Sequence, residues 1–310
     1  MYANIMTDVV RKNVLTEGAN TMNYVDFFGH KVSKLIVGDN PFNGHSYITE
    51  YFSKQEMIDY HTEDKILEAM HEMEEMGVNT MLPLADPYII RILQHYRSNG
   101  GKMNFIFQTY SPMMLSLETA SVSMNMMMSV EPIGIYLSGT YTDLCHETDT
   151  MPKLYEMLAH LRTFDIKLGL GTHYPEIVQL SEKENWDIDF YMACMYNLRR
   201  GREGEQSGFI TGKNKSLIRQ IVPSDREVML ETLKKVEKPI IAFKIFAGGQ
   251  MLVEREEADR REKIKDAYNT IFTTLKPNDF AVAGVFQKYH DQIRENVEVL
   301  NEWYEEKNKA

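Results

Sequence analysis

Lys238-Pro-Ile-Ile-Ala-Phe-Lys-Ile-Phe-Ala-Gly-Gly-Gln250 is the stretch on which the reading of this chain turns. A short apolar run, opened by a proline and closed by a glycine pair, is the pattern of a buried parallel strand with its exit turn. Lys244 stands inside that run, between Phe243 and Ile245. A lysine held among such neighbours must find a partner or shift its pKa. In a barrel of parallel strands the strand ends carry the chemistry, so Lys244 is the first candidate for a functional residue.

The same pattern recurs on both sides. Strands are expected at Lys34–Gly38, Val78–Leu82, Asn104–Thr109, Pro132–Ser138, Ile166–Gly171 and Ile188–Cys194, then the Lys244 segment, then Asp279–Gly284. Amphipathic stretches separate them. Over 62–76, Ile66, Leu67, Met70 and Met73 share one face, and Gly77 ends the run. Further helices are expected at 87–98, around 150–163, after Pro175 and from about 289 to 305. Strand–helix alternation of this kind predicts an α/β protein, a (β/α)8 TIM barrel. A Rossmann fold would need a glycine fingerprint after its first strand, and Gly38-Asp-Asn-Pro-Phe-Asn-Gly-His45 lacks that spacing. Residues 1–23 are read as an N-terminal extension and 24–310 as a single barrel domain. The one long loop, 197–225, follows strand six on the face where lids are found.

At 310 residues with net charge -11, the chain is an ordinary globular length with no electrostatic affinity for nucleic acid or anionic membrane. Two cysteines give no disulfide framework. No apolar stretch reads as a signal peptide or a membrane span, so a cytoplasmic location is the expectation.

Residues just past the strands would share the barrel mouth. These are Asp39, Asn40 and His45 after strand one, and Gln108 and Tyr110 after strand three. Asp143, Cys145, His146 and Glu147 lie in the loop after strand four. Thr172 and His173 follow strand five, Cys194, Tyr196 and Asn197 strand six, and Lys244 strand seven. Such a polar rim on an apolar barrel is the pattern of a small-molecule site. His173 can act as an acid or base near neutral pH, ligate a metal, or cap a helix. Lys244 can bind an anion or a carbonyl, form a Schiff base, or sit in an ion pair. Asp39, His45 and His173 are a candidate set for a divalent metal. Asn40, Gln108, Tyr110, Tyr196 and Asn197 are candidates for holding substrate. Arg199, Arg200 and Arg202 would clamp a phosphate or simply decorate a solvated loop.

The chain resembles the aldo-keto reductase superfamily, with its iron–sulfur-associated branch the most similar. The resemblance rests on five segments in order: Phe28-Gly-His-Lys-Val-Ser-Lys-Leu-Ile-Val-Gly38, Gly169-Leu-Gly-Thr-His-Tyr-Pro-Glu-Ile-Val178, Tyr196-Asn-Leu198, Ile241-Ala-Phe-Lys-Ile-Phe-Ala-Gly-Gly249, and Gly284 with Gln292-Ile-Arg-Glu-Asn296. It implies an N-terminal β-hairpin in front of the barrel and, for a typical member, NADP as cofactor, with Gln292 and Asn296 on the adenine side. The family's Tyr, Asp, Lys and His set is not matched. Leu82 falls at the carboxylate position, Gln108 at the lysine and Gly139 at the histidine; Tyr88 and Asp86 lie only near the expected places. At the nicotinamide amide positions stand Gly171-Thr172 and Ala193. Without a lysine beside it, a tyrosine keeps a pKa near 10 and donates its proton poorly.

The resulting expectation is a borrowed barrel with non-redox chemistry, of lyase, isomerase or hydrolase type, on a small polar carbonyl or sugar-like compound. His173, Lys244, Asp39 and His45 would carry it. An NADP-dependent reductase with an atypical site is the alternative, and a non-catalytic ligand-binding protein the second.

Overall fold

The structure, a computed structural model, describes residues 22–45, 47–48, 51–200, 206–211, 223–253 and 255–309. The expected N-terminal extension up to residue 21, Arg202 and much of the 197–225 loop lie outside the described residues.

A hairpin comes first. β1 (Tyr24–Phe27) and β2 (His30–Ser33) pair antiparallel, with Phe27 opposite His30. Gly29, at φ +91°, makes the tight turn that an L side chain would resist. The barrel strands follow: β3 (Leu35–Gly38), β4 (Thr80–Leu82), β5 (Asn104–Gln108), β6 (Gly134–Leu137), β7 (Leu168–Thr172), β8 (Phe190–Cys194), β9 (Ile240–Phe243) and β10 (Phe280–Gly284). All neighbours are parallel, and β10 pairs with β3 to close the ring.

Alternation along each strand sorts side chains between two cores. Ile36, Ile106, Tyr136, Ile241 and Phe280 point into the barrel. Leu35, Val37, Phe105, Phe107, Ile240 and Ala242 point out against the helices. The hairpin plugs the lower end: Phe27 is fully buried, edge-on to Phe190 at 5.2 Å and to Phe280 at 5.7 Å. That leaves the other end, at the strand C-termini, open.

Helices punctuate the strands where local chemistry directs. α1 (Lys54–Tyr60) and α2 (Glu63–Glu75) start at Ser53 and Thr62, whose hydroxyls accept from Glu56 N and Lys65 N. α3 (Pro87–Ser98) starts at Asp86, whose carboxylate accepts from Tyr88 N at 2.9 Å, with Pro87 in the first turn. α4 (Leu117–Met128) precedes β6. α5 (Gly139–Glu147) replaces the solvated loop expected after strand four; Ser138 caps it, and its buried face carries Thr142, Asp143 and Cys145. α6 (Met151–Arg162), α7 (Pro175–Glu184), α8 (Gly208–Thr211), α9 (Pro223–Leu233), α10 (Glu257–Thr274) and α11 (Gln292–Lys309) complete the outer layer. No helix among the described residues is long and apolar enough to cross a membrane.

Candidate active site

β9 ends at Phe243, one residue before Lys244, which turns out of the strand at φ +55°. A non-glycine residue in the left-handed region is costly and persists only where its surroundings enforce it. Gly248 at φ +66° then brings the chain against Tyr47; a Cβ there would stand 2.7 Å from the Tyr47 Cβ. The Tyr47 ring in turn covers the Lys244 ammonium, 4.5 Å from its centroid.

Lys244 Nζ lies 2.8 Å from His173 Nε2. On the far side of the imidazole, Nδ1 is 2.7 Å from Asp143 Oδ2. Asp143 also accepts from His173 N at 3.0 Å and from Thr172 Oγ1 at 2.6 Å, and it is fully buried. Burial raises the Asp143 carboxyl well above the usual range, with the Thr172 and His173 donors opposing. Burial and the Lys244 and Arg199 charges hold His173 well below its usual value, so its imidazole is neutral. A neutral ring accepting from Lys244 at Nε2 carries its proton on Nδ1, facing Asp143. Lys244 forms no ion pair with a carboxylate among the described residues, so its structural-pair reading is not what the fold provides.

Gly139 explains the room His173 occupies. A Cβ at Gly139 would stand 3.1 Å from His173 Nδ1 and 3.2 Å from Thr172 N. The histidine of strand five thus fills space over the position where the resemblance would have put one from strand four.

Asp39 follows β3 and is 4% exposed. Its Oδ2 accepts from Leu84 N and Asn43 Nδ2, each at 2.7 Å. Burial outweighs both donors and raises its pKa from 3.8 to about 7. Near neutral pH this carboxyl therefore holds and releases a proton with equal ease. Tyr136, from the middle of β6, donates its hydroxyl to Gln108 Oε1 at 2.8 Å.

One cavity of about 360 Å³ in the barrel mouth gathers these groups. Asp39, Asn40, His45, Gln108, Tyr110, Tyr136, His173, Arg199 and Lys244 all line it. A larger cavity of about 700 Å³ runs along the segments after β9 and β10, where Gln292 and Asn296 lie. Asn40, His45, Tyr47 and Lys244 line both, so the two are continuous.

Several expectations need correction. Tyr196 and Asn197 line neither cavity. Tyr196 lies under the Arg226 guanidinium, and Asn197 Oδ1 accepts from Arg199 N and Arg200 N, building the turn after β8. Asp39, His45 and His173 do not form a metal set. Both His173 ring nitrogens are engaged, His45 is exposed at the rim, and no group of three such ligands is arranged for a metal among the described residues. Arg200 pairs with Glu176 and Asp225 and so is no phosphate clamp. Cys194 needs no such correction: its sequence context reads as a buried, inert thiol, and it is buried with its thiol pushed up to about 12. Tyr88 is 49% exposed and Asp86 is a helix cap, so neither stands in for a catalytic residue.

Tyr136 is a lining residue that sequence reasoning left out, while Asp143 and Arg199 were named without the roles the fold gives them. Asp143 was visible only as one of four ligating types in a supposed loop. A spacing signal existed: on α5, Thr142, Asp143 and Cys145 face inward while Leu144 is exposed. Tyr136 reads as core in an all-apolar strand, and nothing in sequence alone marks its hydroxyl.

The nicotinamide cofactor that this kind of barrel implies does not fit the residues present. Thr172 Oγ1 is tied to Asp143 and Ala193 is fully buried, so neither position where the resemblance would place a nicotinamide-holding amide carries one. On the adenine side, Gln292 Oε1 accepts from Phe286 N, Asn296 Oδ1 accepts from Tyr268, and Asn296 Nδ2 donates to Gln292 O.

No family model and no curated protein matches the sequence. Solved structures do match in fold. A Pseudomonas aeruginosa protein assigned as an aldo-keto reductase is 15% identical, at a TM-score of 0.51 over 90% of this chain and 95% of its own. An aldo-keto reductase from Bacillus halodurans in its holo form is 14% identical, at 0.53 over 90% and 91%. A point mutant of Gox0644 in complex with NADPH is 8% identical, at 0.55 over 90% and 88%. At these identities the likeness is one of fold: this chain has a (β/α)8 barrel with an N-terminal hairpin, as aldo-keto reductases do.

Proposed function

We propose that this barrel is an enzyme that moves a proton next to the carbonyl of a small polar, sugar-like compound, an isomerase or lyase without hydride transfer. The observation that carries the reading is the Asp143–His173–Lys244 chain, which opens on the same cavity as a carboxyl with a pKa of about 7. In this reading a C–H proton passes to the Asp39 carboxylate as the electron pair moves onto the carbonyl oxygen. The Lys244 ammonium stabilises the resulting oxyanion. Neutral His173, fixed by Asp143, accepts a hydrogen bond from Lys244 and holds it in place. Asn40, His45, Gln108, Tyr110 and Arg199 orient the hydroxyl groups of the substrate.

Exchange of α-protons into deuterium oxide tests this. Purified protein with hydroxyacetone or dihydroxyacetone, and no nicotinamide, should bleach the α-proton resonances. Lys244→Met and Asp39→Asn should each stop it. Absence of exchange with every hydroxy-carbonyl offered would overturn the reading.

The second reading is an NADP-dependent reductase with an atypical site. The elongated cavity of about 700 Å³ continuous with the mouth favours it, as do fold relatives described in holo form or in complex with NADPH. The poor fit of Thr172, Ala193 and Asn296 opposes it. Saturable micromolar quenching of tryptophan fluorescence by NADPH would restore it. A protein that binds hydroxy-carbonyls but exchanges no protons would instead be a ligand-binding protein on this fold.

A further inference from the structure

The larger cavity is built from rings, and its two arginines are already paired. Phe52 stacks on Tyr289 with centroids 5.4 Å apart, and Phe286 meets Phe52 edge-on at 5.3 Å. Tyr289 is 58% exposed and Tyr51 41%, so aromatic surface is left open at the outer end. Arg255 pairs with Asp259 and also donates to Met251 O. Arg260 grips Glu295 through Nε and Nη2 at 2.8 Å, and His290 lies 3.4 Å from the same carboxylate. Glu256 adds another acid to the lining. Among the described residues that line this cavity, Lys244 is the only cation without a carboxylate partner.

Several backbone donors are engaged as well. The N-terminus of α11 would be the natural place for a phosphate. Here Gln287 Oε1 accepts from Gln292 N at 2.7 Å and from Ile293 N at 3.1 Å. Asp291 Oδ1 accepts from Arg294 N, and Asp291 O from Glu295 N. In the turn after Lys244, the amides of Gly249, Gln250 and Leu252 donate to carbonyls of the same turn. A ligand carrying a pyrophosphate would bring at least two negative charges to a groove whose one cation without a carboxylate partner among the described residues, Lys244, lies at the mouth end, and whose lining includes the carboxylates of Glu256 and Glu295.

We infer that the larger cavity holds an uncharged aromatic or long apolar tail of the substrate whose carbonyl sits at Lys244, and not a dinucleotide. The inference rests on the proton-transfer reading for the head of that substrate. Continuity through Asn40, His45, Tyr47 and Lys244 gives one ligand room in both cavities. Tyr51, Phe52, Phe286 and Tyr289 supply flat apolar faces for the tail.

Calorimetric titration of the full chain with two probes tests it: hydroxyacetone, and an α-hydroxy ketone with a phenylethyl tail. Burying the ring should tighten binding about 10- to 100-fold over hydroxyacetone. Tyr289→Ala, a surface change that spares the core, should remove most of that gain and leave hydroxyacetone binding unchanged. Lys244→Met should weaken both probes alike. Equal affinity for the two probes overturns the inference. So does a gain untouched by Tyr289→Ala, or micromolar NADPH binding that displaces the phenyl ketone. If the gain follows Tyr289 while Lys244→Met changes neither affinity, the tail site stands and the carbonyl reading of Lys244 fails. If hydroxyacetone exchanges protons but the phenyl group adds nothing, the tail site fails and the chemistry stands.

Discussion

Replacing Asp39 by Asn should stabilise the protein, and by an amount that grows with pH. The carboxyl is 4% exposed and its pKa rises from 3.8 to about 7 on burial. A group whose acid form is favoured in the folded state contributes most below its unfolded pKa, and that contribution is lost as pH climbs towards the folded value. The window is therefore pH 3.8 to about 7. At 1.36 kcal/mol per unit, the penalty of the charged form relative to a neutral isostere is about 1 kcal/mol at pH 4.5 and about 4 kcal/mol at pH 8. Asn keeps the acceptor for Leu84 N and Asn43 Nδ2, so the local bonds survive. At roughly 2 °C per kcal/mol for a chain of this size, the thermal midpoint of the variant should exceed that of the parent by about 2 °C at pH 4.5 and by about 8 °C at pH 8. Near-ultraviolet circular dichroism across that range reads the difference. A difference that stays constant with pH, or an Asn variant less stable at pH 8, refutes the claim that burial holds Asp39 at a near-neutral pKa. The same variant should lose proton exchange, because an amide cannot accept the proton.

Asp143→Asn should cut activity about 100-fold or more while leaving the fold in place, because an amide no longer fixes the Nδ1-protonated form of His173; kcat and a shifted pH profile at unchanged circular dichroism would confirm it, and full activity would refute it. Gly171→Ala should destabilise by about 2 kcal/mol or more, since its Cβ would stand 2.7 Å from Gly139 N and 2.8 Å from Leu137 O, both backbone atoms; an unchanged urea midpoint would show that β6 and β7 separate more freely than their packing indicates.

The barrel was legible because its strands are short apolar runs bounded by Gly, Pro and Asp, and because Thr62, Asp86 and Pro175 mark helix starts. Lys244 and His173 stood out for the same reason: polar residues at the ends of apolar strands are visible against their background. Their partner was not. Asp143 lies on a helix after β6, 30 residues before His173, and only the packing of α5 against β7 brings the two together. Asn197 shows the opposite failure, a polar residue at a strand end whose amide serves the turn and not the cavity. Strand-end position identifies which side chains are able to reach the mouth; it does not say which of them the backbone has already claimed.

The most direct test is a crystal structure of the protein soaked with dihydroxyacetone. The account predicts compact density in the mouth, with the carbonyl oxygen within hydrogen-bond distance of Lys244 Nζ and the carbon next to the carbonyl beside Asp39. Density only in the larger cavity, or a mouth in which Lys244 stays on His173 and touches no ligand at saturating concentration, would contradict it.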